Sequence, residues 1–481
     1  MTRLLPCCAR MLCFTALAFP AGAPAEPVVP LQDGRIAFVL EDVVRVPSVR
    51  INHAARLNGL VSAPDGSHRL FVVDLDGAVL VIEHGKLLSK PFLDLAQVRR
   101  QTLRTGSLQE GLNSIAFHPD FARVGKPGHG KFYTFSSERA EAQASTLPTR
   151  AGLPVHHHDV VSEWKVDEQN PSVANPASRR EVLRIVHPTE GHVGGCLGFN
   201  PAAREGEPDY GMLYISVGDG ADTVNNPRRL IDEWHIAQDK ALPLGKILRV
   251  DPMAHGDKPY AVPRDNPFLA EASTLPEIWA YGLRNPERFS WDSAGANLML
   301  IADIGQKQFE EVNIGHAGAN YGWSEREGFT VVDHANESVR GPVAQDDAKS
   351  GFTAPALVYG REGGELAAIT GGFVYRGNAV PELRGYYVFG DIATGRVFAT
   401  DVSKLVDGKQ ATFFELSLQY GGQQQTLRQV VRGDRVDLRF GLDDAGEIYV
   451  LSKRNGVVYR LARAVSAVAP NRATDGAEPG K

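Results

Sequence analysis

The chain has 481 residues, 43% of them hydrophobic and 22% charged, with a formal net charge of −6. That balance belongs to a folded globular protein and excludes general disorder. In an acidic chain nothing points to nucleic acid or an anionic membrane surface as partner.

The first 25 residues, MTRLLPCCARMLCFTALAFPAGAPA, place Arg3 and Arg10 before a short apolar run that ends on Ala23-Pro24-Ala25. This is the layout of a secretory signal peptide, and the run is too short to span a bilayer. Export to the periplasm or out of the cell is expected, with residues 26–463 as the mature domain and no membrane span. Cleavage takes the formal charge from −6 to −8 and removes Cys7, Cys8 and Cys13. Cys196 is then alone, so the mature chain forms no internal disulfide, and a lone thiol reads as a small buried hydrophobe.

From residue 69 onward one short unit recurs: an apolar β-rich run, then Gly or Asp, then often a second strand. Its six copies are RLFVVDLDGAVLVIEHG (69–85), KFYTFSSE (131–138), LYISVGDGAD (213–222), LMLIADIGQ (298–306), YYVFGDIATGRVFATDV (386–402) and IYVLSKRNGVVYRL (448–461). Asp76-Gly77 and Asn455-Gly456 are the residue types that tight hairpin turns demand. Helical periodicity is weak throughout; the best stretch is 228–242. Six similar units at about 65 to 75 residues each predict an all-β chain, a six-bladed β-propeller of four-stranded antiparallel blades around a central channel. Two stacked sandwiches would leave the six-fold repeat unexplained. The strand RIAFVLEDVV (35–44) is expected to close the last blade, and the tail 464–481 reads as disordered.

In a propeller, function belongs to loops at the channel mouth. Four segments bring polar residues to strand ends there: 107–117, 190–195, 281–289 and 301–313. His192 lies among glycines and is the one side chain of its loop that titrates near neutrality, either as a general base or as a structural turn residue. Asp219, in VGDGAD, is the nearest carboxylate by strand geometry to hold its ring. Arg284 and Asn285 offer a planar cation beside an amide, suited to an oxygen that gains negative charge or to an inter-blade ion pair. Gly305 and Gln306 form a turn followed by Glu310 and Glu311, oxygen ligands of the kind a hard cation takes. The tract HHHD (156–159) is expected on a surface loop. No phosphate loop, zinc-type cysteine pair, nucleophile elbow or dinucleotide fingerprint is present.

Taken together, GLNSIAFHPDF, GHVGGCLGF, LYISVGDG, LGKILRVDP, YGLRNPERF, IGQKQFEEVNIGHAGANYGW and ITGGFVYRG resemble the soluble quinoprotein glucose dehydrogenase and aldose sugar dehydrogenase family, in order from about Leu57 to Leu461. The resemblance implies a propeller carrying pyrroloquinoline quinone (PQQ) and calcium. It implies His192 as catalytic base, Asp219 as its support, and Arg284 and Asn285 against the quinone. Gln109, beside Glu110, would touch the cofactor, and Gly305 and Gln306 would bind calcium through backbone carbonyls. The reaction so implied oxidises an aldose at its anomeric carbon to a lactone, with an external electron acceptor to reoxidise the quinone.

The sequence departs from that pattern where cations are expected. Ala393 and Thr394 stand where the glucose enzymes have a lysine, with Arg396 two residues on. Of a later arginine pair only Arg435 is kept, and Asp437 takes the other place. These departures favour the broader aldose-dehydrogenase branch over strict glucose specificity. The segments 139–180 and 330–365 are expected to reshape the rim. A non-enzymatic binding propeller and a calcium-dependent lactonase are the rival readings.

Overall fold

Runs of β-branched and aromatic residues, cut by Gly, Asp and Asn turns, pair with their sequence neighbours into antiparallel sheets. The computed structural model describes residues 36–48, 53–140, 144–221, 235–334, 340–343, 347–361 and 367–466. The expected signal segment 1–25 and most of the expected tail lie outside these residues, as does residue 228–234 of the candidate helix, whose remainder forms turns.

Strand β1 (Ile36–Arg45) comes first. Blade one is β2 (Leu57–Ser62), β3 (Leu70–Asp74) and β4 (Ala78–Glu83), edged by β5 (Lys86–Leu87) and β6 (Leu93–Asp94). Blade two is β7 (Leu112–Phe117), β8 (Lys131–Arg139), β9 (His157–Val166) and β10 (Ala174–His187). Blade three is β11 (Gly194–Phe199), β12 (Leu213–Val217), β13 (Lys246–Val250) and β14 (Ile278–Tyr281). Blade four is β15 (Pro286–Trp291), β16 (Met299–Asp303) and β17 (Phe309–Ile314), completed by β21 (Leu357–Gly360) after a small excursion sheet. That sheet holds β18 (Arg326–Glu327), β19 (Thr330–Val332) and β20 (Arg340–Pro342). Blade five is β22 (Ile369–Val374), β23 (Tyr386–Asp391), β24 (Val397–Asp401) and β25 (Phe414–Glu415). After β26 (Ser417–Tyr420) and β27 (Gln423–Gln424), blade six runs through β28 (Leu438–Leu442), β29 (Ile448–Ser452) and β30 (Val457–Ser466).

Each of the six sequence repeats is the second strand of a blade, three of them with the third strand attached. The innermost strands β2, β7, β11, β15, β22 and β28 each touch the next around a closed ring. Closure is made at the chain ends: β1 pairs antiparallel with β30 as the outer strand of blade six. Strand β26 then lies parallel to β1, so this sheet carries more than four strands. The expected tail starts too early, because Ala464, Val465 and Ser466 still pair with β1. Their register continues the hairpin that buries Phe38 and Leu40.

The blades are held face to face by apolar side chains. Between blades one and two, Phe71, Phe92, Phe117 and Phe132 form a ring cluster with centroids 4.7 to 4.9 Å apart for successive partners. Burying each such ring contributes about 1.5–3 kcal/mol. The channel is narrow and lined mostly by apolar atoms of the innermost strands, leaving a cavity of about 100 Å³. Its wall is tied across blades: Arg439 reaches Glu287 at 2.8 Å and Asn58 at 3.2 Å, and Asn58 donates to the Asn113 carbonyl at 2.7 Å. Cys196 lines this cavity, buried and unpaired among the described residues.

Candidate active site

In this topology the loops entering the innermost strands and the turns leaving the second strands meet at one end of the channel. The four segments singled out from the sequence all fall there. His192 sits in the loop into β11 with φ of 53°, a left-handed backbone that non-glycine residues rarely adopt. Gly218 permits this path, since a Cβ there would lie 1.8 Å from the His192 carbonyl oxygen.

His192 is 8% exposed and its Nδ1 lies 2.7 Å from Asp219 Oδ1. Asp219 is fully buried at the end of β12 and also accepts from the Ala221 amide at 2.9 Å and from Trp323 Nε1 at 2.8 Å. A carboxylate so placed keeps the proton on Nδ1 and leaves Nε2 as the basic nitrogen. Burial, and then the Arg284 charge, push His192 below the usual histidine range, against the pull of Asp219. Asp219 pays for its burial but is held below the usual carboxylate range by His192 and Arg284. The resting pair is neutral imidazole on ionised carboxylate.

Arg284 and Asn285 sit at the entry to β15, where Asp303 clamps both backbone amides at 2.9 and 2.6 Å. Burial pushes the Asp303 carboxyl up to about 7. Arg284 NH1 donates to the Ile304 and Gly305 carbonyls at 2.9 and 2.8 Å, and its guanidinium lies 5.6 Å from the Trp323 ring centroid. Among the described residues its Nε is buried without a hydrogen-bond partner. Asn285 Oδ1 accepts from the Gly194 amide at 3.0 Å, which fixes the loop after His192. Gln109 Oε1 accepts from the Val193 amide at 3.3 Å, so it borders the same loop from blade two.

The turn at Gly305 and Gln306 is built differently from a free carbonyl rim. Arg361, just after β21, donates to Gly305 O at 2.9 Å and Gln306 O at 2.7 Å. It also pairs with the buried Glu310 at 2.8 Å. Burial pushes Glu310 up to about 8, with Arg361 working against that rise. Glu327 Oε1 gathers the amides of Gln306, Lys307, Gln308 and Phe309 at 2.8 to 3.1 Å, which locks the turn.

Of the cations weighed from the sequence, Arg435 bonds Asp437, and Arg454 grips the same carboxylate from the other side. Asp437, standing where a cation is expected, is therefore buried between two guanidinium groups. Lys453 donates to the Leu108 carbonyl at 2.7 Å, beside Gln109. Ala393 is buried, Thr394 caps Asp391 at 2.8 Å, and Arg396 pairs with Glu415 at 2.8 Å.

The HHHD tract is corrected by the structure. His157, His158 and Asp159 open β9 and are buried. Strand alternation puts His157 and Asp159 on one face, and His187, the register partner of His157, joins them. Asp159 takes His157 Nε2 at 3.0 Å and His187 Nδ1 at 2.7 Å, while His187 Nε2 reaches the Gly191 carbonyl at 2.8 Å. Carboxylate and carbonyl oxygens only accept, so both His187 nitrogens carry protons and the ring is an imidazolium clamped beneath His192. Burial is the largest single effect and lowers its pKa, but the Asp159 charge together with the hydrogen bonds to Asp159 and Gly191 raises it overall. Among the described residues His157, Asp159 and His187 are close enough to share an ion, as are Glu110, His156 and His157, and on the rim His235, Glu325 and His334.

The glucose/sorbosone dehydrogenase family matches residues 56–456, most of the chain. The chain belongs to that family. Its curated relatives include the HIPL1 protein of Arabidopsis thaliana, 30% identical over 86% of this chain and 62% of that protein. They also include the Hedgehog-interacting protein of Mus musculus, 27% identical over 83% of this chain and 50% of that protein. The chain thus spans roughly half to three fifths of those relatives' length. Among solved structures, the PQQ-bound aldose sugar dehydrogenase of Streptomyces coelicolor aligns with a TM-score of 0.54, at 19% identity over 89% of this chain and 98% of that one. At that identity the likeness speaks for the fold, the six-bladed propeller.

Within this family frame, the structure brings His192, Asp219, Arg284, Asn285 and Gln109 around one mouth, and turns Arg435 away to Asp437. Sequence reasoning missed Trp323, Asp303, Arg361 and His187. Trp323 ends the quoted motif ANYGW, but nothing local says that its indole reaches Asp219, 104 residues away.

Proposed function

We propose that the chain is an exported PQQ-dependent dehydrogenase that oxidises aldoses at the anomeric carbon to lactones. The observation that carries this reading is the His192–Asp219 pair, with Nδ1 held and Nε2, among the described residues, without a hydrogen-bond partner at the channel mouth. Family membership supports sugar oxidation, and the N-terminal layout supports export.

An anionic quinone suits the residues present. Arg284 has a buried Nε without a partner among the described residues, which an acceptor oxygen would satisfy. Gln109 and Arg284 would hold PQQ, and when bound PQQ would supply the two-electron acceptor for a hydride from the anomeric carbon. His192 Nε2 takes the proton of the anomeric hydroxyl, and Asp219 stabilises the imidazolium that forms. Trp323 holds Asp219 in line and covers the Arg284 guanidinium. Arg284 offsets negative charge that develops on the bound acceptor. The sugar loses two electrons and two protons and leaves as a lactone; an external acceptor closes the cycle. Calcium does not suit the Gly305–Gln306 turn, whose carbonyls already accept from arginines, and no step is assigned to it.

The relatives named Hedgehog-interacting protein favour a second reading, a binding propeller without turnover. A lactonase cage is not supported: Asp303, Glu310 and Glu327 at the mouth are taken up by backbone amides and Arg361. Titration of the purified chain with PQQ, followed by dye reduction across a panel of aldoses, separates the readings. Saturable binding with aldose-dependent reduction is expected, and His192→Ala should lose turnover by at least about a hundredfold, the usual span for a general base, while still binding PQQ. Aldose oxidation undiminished in that variant would refute the base assignment; no PQQ binding at all would favour the binding propeller.

A further inference from the structure

The turn that the family resemblance assigns to calcium is occupied by this chain's own cations. Gly305 O has two lone pairs and receives two donors, Arg284 NH1 at 2.8 Å and Arg361 NH2 at 2.9 Å. Ile304 O accepts from Arg284 at 2.9 Å and Gln306 O from Arg361 at 2.7 Å. All three carbonyls on this edge are engaged, and two guanidinium groups converge on one oxygen.

Arg361 cannot easily step aside. Its Nε and NH2 both contact Glu310 Oε1, at 3.2 and 2.8 Å. Glu310 Oε2 in turn accepts from the amides of Gly305 and Ile369 at 3.3 and 2.9 Å. Withdrawing the guanidinium would leave the fully buried Glu310 Oε1 without either of its arginine donors, and an unsatisfied buried polar atom is unfavourable. A calcium ion needs six to eight oxygen ligands at close range. Here it would have to displace both arginines from the carbonyls and then sit beside them.

We infer that the mouth of this propeller binds its anionic ligand without a divalent cation, the Arg284–Arg361 pair taking the place of the metal on the 304–306 turn. This rests on the quinone reading for the identity of the anion. Arg361 fills the carbonyl edge and Arg284, with its unpartnered Nε, faces the ligand. Guanidinium groups suit carboxylate and quinone oxygens, and their charge is permanent.

The test uses the full-length processed chain. PQQ binding is followed by quenching of tryptophan fluorescence in EGTA and again in millimolar calcium, and calcium alone is titrated calorimetrically into the cofactor-free chain. PQQ dissociation constants that agree within about threefold, with no calcium heat, are expected. PQQ binding that requires calcium overturns the inference and leaves the quinone reading standing. Absence of PQQ binding in both buffers removes the quinone reading, and the calcium titration then decides alone: stoichiometric binding to the wild-type chain overturns the inference and no binding supports it. Arg361→Ala, which frees the Gln306 carbonyl and leaves the Gly305 carbonyl with only its Arg284 donor beside Glu310, is expected to acquire calcium binding. Should that variant fold poorly, the wild-type titrations still decide.

Discussion

Asp219→Asn keeps the shape of the buried side chain and removes its charge. In the wild type Asp219 accepts from three donors, His192 Nδ1 at 2.7 Å, the Ala221 amide at 2.9 Å and Trp323 Nε1 at 2.8 Å. An asparagine has one oxygen for them. Its amide NH₂ faces either the indole, donor against donor, or the Ala221 amide and the imidazole, where it opposes the amide donor and forces the proton onto Nε2. Losing a hydrogen bond to a buried charged group costs about 1.5–3 kcal/mol of stability. The catalytic effect is larger. A carboxylate about 4 Å from the imidazolium centre stabilises it by ~4 kcal/mol at an effective dielectric of 20, and about 1.4 kcal/mol is a tenfold change in rate. The expected loss is therefore ~10³-fold in kcat, with PQQ affinity within a few fold of wild type. The pH profile adds a directional check. Burial and Arg284 lower the His192 pKa while Asp219 raises it, so removing the carboxylate moves the acid limb of kcat/KM to lower pH. Aldose-dependent dye reduction, measured across pH beside a thermal melt, reads both. A variant with kcat within tenfold of wild type at full PQQ occupancy, or an acid limb moved upward, refutes the reasoning.

Two further perturbations follow from the same loop. His187→Gln breaks a buried ion pair with Asp159, which costs about 3–5 kcal/mol. Because the folded His187 pKa is raised, its contribution is fully present below about pH 6.5 and fades as pH rises through the folded value, so the gap in urea stability between wild type and variant should narrow from pH 6 to pH 9. Gly218→Ala places a Cβ 1.8 Å from the His192 carbonyl oxygen, so the loop must shift. A destabilisation of about 1–3 kcal/mol and a fall in turnover larger than any change in melting temperature explains are expected; a variant with wild-type melting and turnover would contradict the close approach.

The blades were legible because each repeat is the second strand of its sheet, flanked by the glycines and aspartates that turn it. Ring closure was legible too, since RIAFVLEDVV has strand composition and no neighbour of its own to pair with. At the site, residues adjacent to glycine-bearing strand ends could be found locally: His192, Asp219, Arg284 and Asn285 all lie there. What stayed hidden depends on long-range pairing. Arg361 is preceded by a strand that joins blade four only after the excursion of β18–β20, and no local pattern marks it as the partner of Gly305 and Gln306. The HHHD tract looked like solvent-exposed polarity because its partner, His187, arrives 28 residues after Asp159 on the next strand. The sequence reading of Asp437 as a lost cation missed that two arginines converge on its carboxylate.

These hidden contacts bear on the choice between catalysis and binding. A recognition surface gains from exposed side chains, whereas here the polar groups of the mouth are mostly buried and satisfied by one another. His187 holds the Gly191 carbonyl, Gly218 admits the His192 backbone, Asp219 fixes Nδ1, and Trp323 fixes Asp219. Burying that many polar groups is unfavourable unless each is paired, and a strained left-handed histidine adds to it. Among the described residues the arrangement leaves two groups open, His192 Nε2 and Arg284 Nε, a base beside a cation. A proton acceptor placed next to a site for developing negative charge serves a reaction in which a hydroxyl loses its proton while electrons leave the adjoining carbon. Partner binding alone requires neither group to be preorganised in this way.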